Sequence, residues 1–227
     1  VTAHAHGVEG IKRAVRAGVR SIEHASYLDD EGIALMVKHG TWLVADIYNG
    51  DYIAEIGKRD GWPAEILRKN RETTDTQRAA FEKAVRAGVR IAYGTDSGVY
   101  PHGRNANQFR YMVRYGMTPL QAIRSATLDS ARLLGHEKDF GSIAVGRSAD
   151  LIAVAGDPLV DVRVLEDVRG VIQAGRVVRS VGLREPRTLT PDPSPGGRGE
   201  ISAADARSPS LAGRRWREAP DEGTESP

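Results

Sequence analysis

The seven residues Ala14-Val15-Arg16-Ala17-Gly18-Val19-Arg20 recur unchanged as Ala84-Val85-Arg86-Ala87-Gly88-Val89-Arg90. Within 227 residues such an identity marks a repeated supersecondary unit. In each copy, apolar residues at helical spacing end at a glycine suited to the left-handed position that closes a helix: Val8, Ile11 and Val15 in the first, Phe81, Ala84 and Val85 in the second. A strand-like segment follows each glycine, Val19 to His24 and Val89 to Asp96. Between them lies a third copy: Asp29-Asp30-Glu31 opens a helix, Gly40 stops it, and Thr41 to Asp46 reads as a strand.

Helices alternating with short, nearly continuous apolar strands imply α/β architecture with a parallel sheet and right-handed crossovers. A doubly wound sheet or a (β/α)8 barrel satisfies that pattern. The placement of polar residues favours the barrel. His4, His6, His24 and Asp96 all stand at C-terminal strand ends, the face on which a barrel builds its active site. Val1-Thr2-Ala3-His4 reads as the middle of a buried element and not as a natural N-terminus.

Residues 47–80 read as an insertion on that face, rich in Tyr and charge, with a short helix over Pro63 to Asn70 and the character of a lid. Thr118-Pro119-Leu120-Gln121 is a capping box with Pro at the first helical position, predicting a helix that runs to Leu134 and stops at Gly135. The period then shifts toward 2. Segments 141–145, 149–155 and 168–178 read as β, the last with a turn at Ala174-Gly175.

Composition narrows the chemistry. There is no cysteine, so disulfides, Cys-ligated zinc, iron–sulfur clusters and thiol nucleophiles are excluded, and a metal must be held by His, Asp, Glu or a modified side chain. The net charge of +2 comes from scattered residues, with no basic patch or motif for nucleic acid. The apolar runs are far below the roughly 18 residues of a membrane span, so the chain reads as a soluble protein of unknown compartment. From Glu185 to Pro227 the chain changes: seven of the 11 prolines fall here and large apolar residues are few. This Pro/Gly/Arg-rich tail is expected to be disordered.

His4-Ala5-His6 puts both imidazoles on one side of a strand, because side chains alternate with period 2. One can ligate a metal while the other turns to substrate. Alone, each of these residues is also the pattern of a satisfied polar group at a strand end, or, for Asp96 in Gly94-Thr95-Asp96-Ser97-Gly98, of a turn former. Their convergence on one barrel mouth is what points to metal chemistry.

Val1-Thr2-Ala3-His4-Ala5-His6-Gly7, Ser21-Ile22-Glu23-His24-Ala25-Ser26, Gly94-Thr95-Asp96-Ser97-Gly98 and the stretch Gly141 to Ile152 together resemble the amidohydrolase superfamily of metal-dependent hydrolases. The resemblance is strongest to the group with imidazolonepropionase-like and Xaa-Pro or Xaa-Arg dipeptidase-like members, and it covers about residues 1–182. It implies a (β/α)8 barrel with a small composite β-sandwich. Residues 1–135 would then be the C-terminal half of the barrel, strands 5 to 8, and residues 136–184 strands of the sandwich, followed by the tail at 185–227. By position, His4 would be the strand-5 metal ligand, His24 the strand-6 ligand and Asp96 the strand-8 ligand.

The family also carries an HxH on strand 1, but only 92 positions (96 minus 4) separate His4 from Asp96. Strands 1 and 8 of a barrel of about 250 residues lie much further apart, so His4-x-His6 belongs to strand 5. The strand-1 HxH and a strand-4 residue, often a carboxylated Lys bridging two metals, would lie outside this sequence. The resemblance implies one or two divalent metal ions, zinc foremost, Asp96 as general base and then acid, and substrate contacts from His6, Tyr27, His102 and Arg104. The expected substrate is a small amide, a dipeptide or an N-acyl amino acid. The expected partner is a missing N-terminal half or a second copy of the chain. The competing reading is a truncated, non-catalytic half-barrel.

Overall fold

Each copy of the repeated heptapeptide closes a helix and starts a strand, as its glycine requires. The computed structural model describes residues 1–181, so the tail assigned to 185–227 and the last three residues of the 136–184 unit lie outside the described residues. Gly18 and Gly88 adopt φ of 81° and 77° just past the ends of α1 (Val8–Arg16) and α4 (Ala64–Arg86), conformations that are costly for a residue with a Cβ. Gly40 does the same after α2 (Asp30–His39), whose first turn is capped by the Asp29 carboxylate accepting from the Gly32 amide at 2.7 Å.

The strands β1 (Thr2–Ala5), β2 (Ser21–His24), β3 (Trp42–Val44) and β4 (Arg90–Ile91) form one parallel sheet in the order β1-β2-β3-β4, with no reversal of direction. The register sets Ala5 beside His24 and Glu23 beside Val44, so the polar strand ends come out level. Ile11 and Val15 of α1, Met36 of α2, and Ile22 and Leu43 of the sheet are essentially inaccessible and pack with Phe81 and Ala84 of α4. This is the expected pairing of helical stripes with a continuous apolar sheet.

Four expectations need correction. The strand expected over Val89 to Asp96 pairs with β3 only at Arg90 and Ile91. Beyond Ala92 the backbone finds partners among the helices instead: the Tyr93 amide donates to Ser125 O at 3.0 Å, and Gly94 O accepts from Gln108 Nε2 at 2.7 Å. The short helix over Pro63 to Asn70 is the first part of the 23-residue α4, which runs unbroken because no Gly or Pro follows Pro63 before Arg86. With α3 (Asn49–Arg59) it turns the expected lid into a packed helical pair, Asn70 Nδ2 donating to Gly50 O at 2.8 Å.

The third correction concerns the helix predicted from Thr118 to Leu134. Its capping box forms as read, but the helix breaks at Thr127 into α6 (Pro119–Ala126) and α7 (Leu128–Leu134). Around the break the Ser125, Thr127 and Ser130 hydroxyls donate to the Ala122, Ile123 and Ser125 carbonyls, competing with the backbone ladder. Helix α5 (Asn107–Arg114) packs against α6.

A second sheet is antiparallel, with β5 (Leu151–Val154), β6 (Val168–Gln173) and β7 (Arg176–Ser180) in sequence order. Ala174 and Gly175 both have positive φ, as a two-residue hairpin turn of this hand requires. Residues 141–145, expected as a strand, are irregular. No helix among the described residues is long and apolar enough to cross a membrane.

Candidate metal centre

β1 delivers His4 and, one residue beyond its end, His6, whose rings lie together as positions two apart on a strand should. The rings of His4 and His6 are 4.6 Å apart, and each also lies against His24, at 4.4 and 4.8 Å. One ligand atom from each of the three comes within 4.8 Å of the others, and His24, Asp46 and Asp96 form a second such trio sharing His24. Three imidazoles and two carboxylates, all nitrogen and oxygen donors, are a set that zinc and similar divalent ions accept. The residues therefore fit a divalent metal of the kind that the resemblance implied.

The backbone is shaped to present them. His24 and Ala25 take φ of 68° and 50°, and Asp96 takes 48°, a region that residues with a Cβ rarely enter. Such conformations cost on the order of 1–3 kcal/mol each and persist where surrounding structure over-determines them. Here Gln77 Nε2 donates to the His24 carbonyl at 3.1 Å, the Ala25 amide to Ala5 O at 3.1 Å, and Asn105 Nδ2 to Thr95 and Ser97 hydroxyls flanking Asp96.

Electrostatics separate the imidazoles. The hydrogen bond from His24 Nδ1 to Asp46, at 2.9 Å, raises the His24 pKa above its ordinary value despite partial burial. Burial would push the Asp46 carboxyl up, but the bond and charge of His24 and the Gln77 amide outweigh it, and its pKa falls below the usual carboxylate range. His6 goes the other way, lowered by burial and then by its neighbours His24 and His4.

Of the residues predicted from sequence, His4, His6, His24 and Asp96 come together. Tyr27 joins their rim: its amide donates to His6 O at 3.0 Å and its hydroxyl pairs with Thr73 at 2.9 Å. His102 and Arg104 lie exposed on the loop after Asp96 and belong to neither trio, Arg104 sitting 5.5 Å over the Tyr52 ring. Sequence reasoning missed Asp46, Asn49 and Gln77. Asp46 had a signal, since it ends the third helix–glycine–strand copy at the place His24 and Asp96 hold in theirs. A cavity of about 880 Å³ opens at the other end of the strands, lined among others by Arg20, Trp42 and Arg90, remote from these groups.

Residues 1–178 match the Amidohydrolase family. The ochratoxinase of Aspergillus niger is 35% identical over 189 residues, covering 81% of this chain and 38% of that protein. Among solved structures, a Xaa-Pro dipeptidase with methionine bound in its active site is 46% identical with a TM-score of 0.74, over 79% of this chain and 45% of that one. A prolidase complexed with N-methylphosphonate-L-proline is 34% identical with a TM-score of 0.72, again over 79% and 45%. The chain thus spans less than half the length of these relatives, and the order of its motifs, its α/β fold and its match over residues 1–178 agree: it belongs to the amidohydrolase family.

Proposed function

We propose that residues 1–135 are the C-terminal half of a (β/α)8 barrel, that 136–184 belong to a small composite β-sandwich, and that the assembled protein is a metal-dependent hydrolase of carbon–nitrogen bonds. The observation that carries this reading is the convergence of His4, His6 and His24, at the C-terminal ends of adjacent parallel strands, with Asp96 from the segment that follows β4. The unreversed strand order supports a barrel over a doubly wound sheet, which would show a switch point.

His4, His24 and Asp96 would hold a divalent ion, zinc foremost, with remaining ligands from a complementary half. Such an ion, when bound, supplies the charge that acidifies water and polarises a carbonyl. The chain's own residues do the rest. Asp96 accepts the proton of the attacking water on a carboxylate oxygen and delivers it to the nitrogen of the departing amine. Asn49 Nδ2, 3.4 Å from Asp96 Oδ2, steadies that carboxylate. His6, hydrogen-bonded to Ser26 Oγ at 2.8 Å, and Tyr27 would orient the amide substrate, and His102 and Arg104 would contact its far end from their exposed loop.

Dipeptides or N-acyl amino acids are the proposed substrates, a choice supported by likeness to a Xaa-Pro dipeptidase and a prolidase. The test is to co-express the chain with a complementary half carrying strands 1 to 4 and to follow dipeptide hydrolysis and bound metal together. Asp96→Asn should nearly abolish turnover while much of the metal stays. Near-wild-type turnover by Asp96→Asn would remove Asp96 as the general base.

A further inference from the structure

Asp46, at the C-terminal end of β3, is surrounded by donors. Its Oδ1 faces His24 Nδ1 at 2.9 Å and Gln77 Nε2 at 3.0 Å, and its Oδ2 faces Asn49 Nδ2 at 2.6 Å. Both amides have a second acceptor that fixes which way round they sit. Gln77 Nε2 also reaches the His24 carbonyl at 3.1 Å, and Asn49 Nδ2 also reaches Asp96 Oδ2 at 3.4 Å. Turning either amide over would set its oxygen against two acceptors.

A carboxylate so placed only accepts, so the proton of the His24–Asp46 bond sits on Nδ1. In the neutral ring that leaves Nε2 as the unprotonated nitrogen of His24. With three donors on its two oxygens, Asp46 is poorly placed to be a ligand itself, although it falls within the second trio.

We infer that Asp46 is a positioning residue, which holds His24 in its Nδ1–H form and so keeps Nε2 available to a metal. Gln77 fixes the left-handed main chain of His24 to the same carboxylate, and Asn49 ties that carboxylate to Asp96. An acceptor behind a ligating imidazole sets its tautomer, and losing such a partner typically lowers metal affinity about 10–100-fold. The inference rests on the reading of His24 as a ligand, but the tautomer can be measured without any metal.

The test is 15N NMR of the histidine side chains of the full chain, metal-free and at a pH above the His24 titration seen in the same spectra. Wild-type His24 should show the Nδ1–H form. Asp46→Leu, which removes every acceptor behind Nδ1, should shift the ring toward Nε2–H, the form a neutral imidazole prefers in water, while the His136–Asp139 pair, 2.9 Å apart, reports unchanged. Competition with a chromophoric chelator should then show a zinc affinity about 10–100-fold lower in Asp46→Leu.

The wild-type tautomer is decisive even if the variant fails to fold: an Nε2–H form of His24 overturns the inference. So does an unchanged tautomer or an unchanged zinc affinity in folded Asp46→Leu. A tautomer switch with no zinc uptake by either chain supports the positioning role and overturns the metal reading of the site.

Discussion

Gly94 packs its backbone directly against β3 beside the Asp96 segment. Within Gly94-Thr95-Asp96-Ser97-Gly98 it reads as part of a turn, yet a Cβ at this position would lie 2.2 Å from Val44 Cγ1. The missing side chain lets the Asp96 segment lie against β3. Gly94→Ala should destabilise the chain by about 1–3 kcal/mol in urea unfolding through overpacking, and Val44→Ala in the same chain should restore much of the loss. Equal stability of Gly94→Ala and wild type would show that the segment has room to move. His4, His6, His24 and Asp96 were legible because imidazoles and a carboxylate at the ends of apolar strands are chemically unusual there. Asp46 showed only its place at the end of the third copy, since an Asp before a loop also looks like a turn former, and its role depends on Gln77, distant in sequence.

At the scale of elements, α1 and α2 were legible because each carries both a start and a stop. Lys12 of α1 reaches Glu31 at 2.8 Å and Asp29 at 3.3 Å, so the cap of α2 is also the hinge of its packing on α1. Asp29→Ala should cost about 1 kcal/mol by loss of the cap. The same cluster sets an acid limb. The Gly32 amide, and then Lys12, hold the Asp29 carboxyl below its ordinary value, and Lys12 lowers that of Glu31. Carboxyls lowered in the folded state stabilise it above their unfolded values, near 4, and that contribution is lost as pH falls through the folded ones. Urea midpoints should therefore drop as pH falls below about 4.5, and Lys12→Met should flatten the drop; identical acid limbs in the two chains would exclude the cluster as a cause. The end of β4 was not legible because partners far along the chain decide it, Ser125 for Tyr93 and Gln108 for Gly94. Nor was the break at Thr127, which turns on hydroxyl back-bonds of Ser125, Thr127 and Ser130 to carbonyls three to five residues earlier that the apolar spacing does not show.

For the whole molecule, repetition made the parallel order readable in the sequence, whereas closure into a barrel depends on strands beyond β1 to β4. The proposed half-barrel leaves β1 and β4 each with one neighbour among the described strands. Unpaired edges of this kind recruit other chains. Expressed alone, the protein should self-associate in light scattering and hydrolyse no dipeptide, and a monomer with enzyme-like, chelator-sensitive turnover would refute the half-site account. The central claim, that His4, His6 and His24 with Asp96 form a metal centre, is tested most directly by zinc titration calorimetry of the full chain. The account predicts saturable binding that His4→Ala and His24→Ala weaken severely and that His39→Ala, in the last turn of α2, leaves intact. Absence of zinc binding by the wild-type chain, or equal binding by His24→Ala, would contradict it.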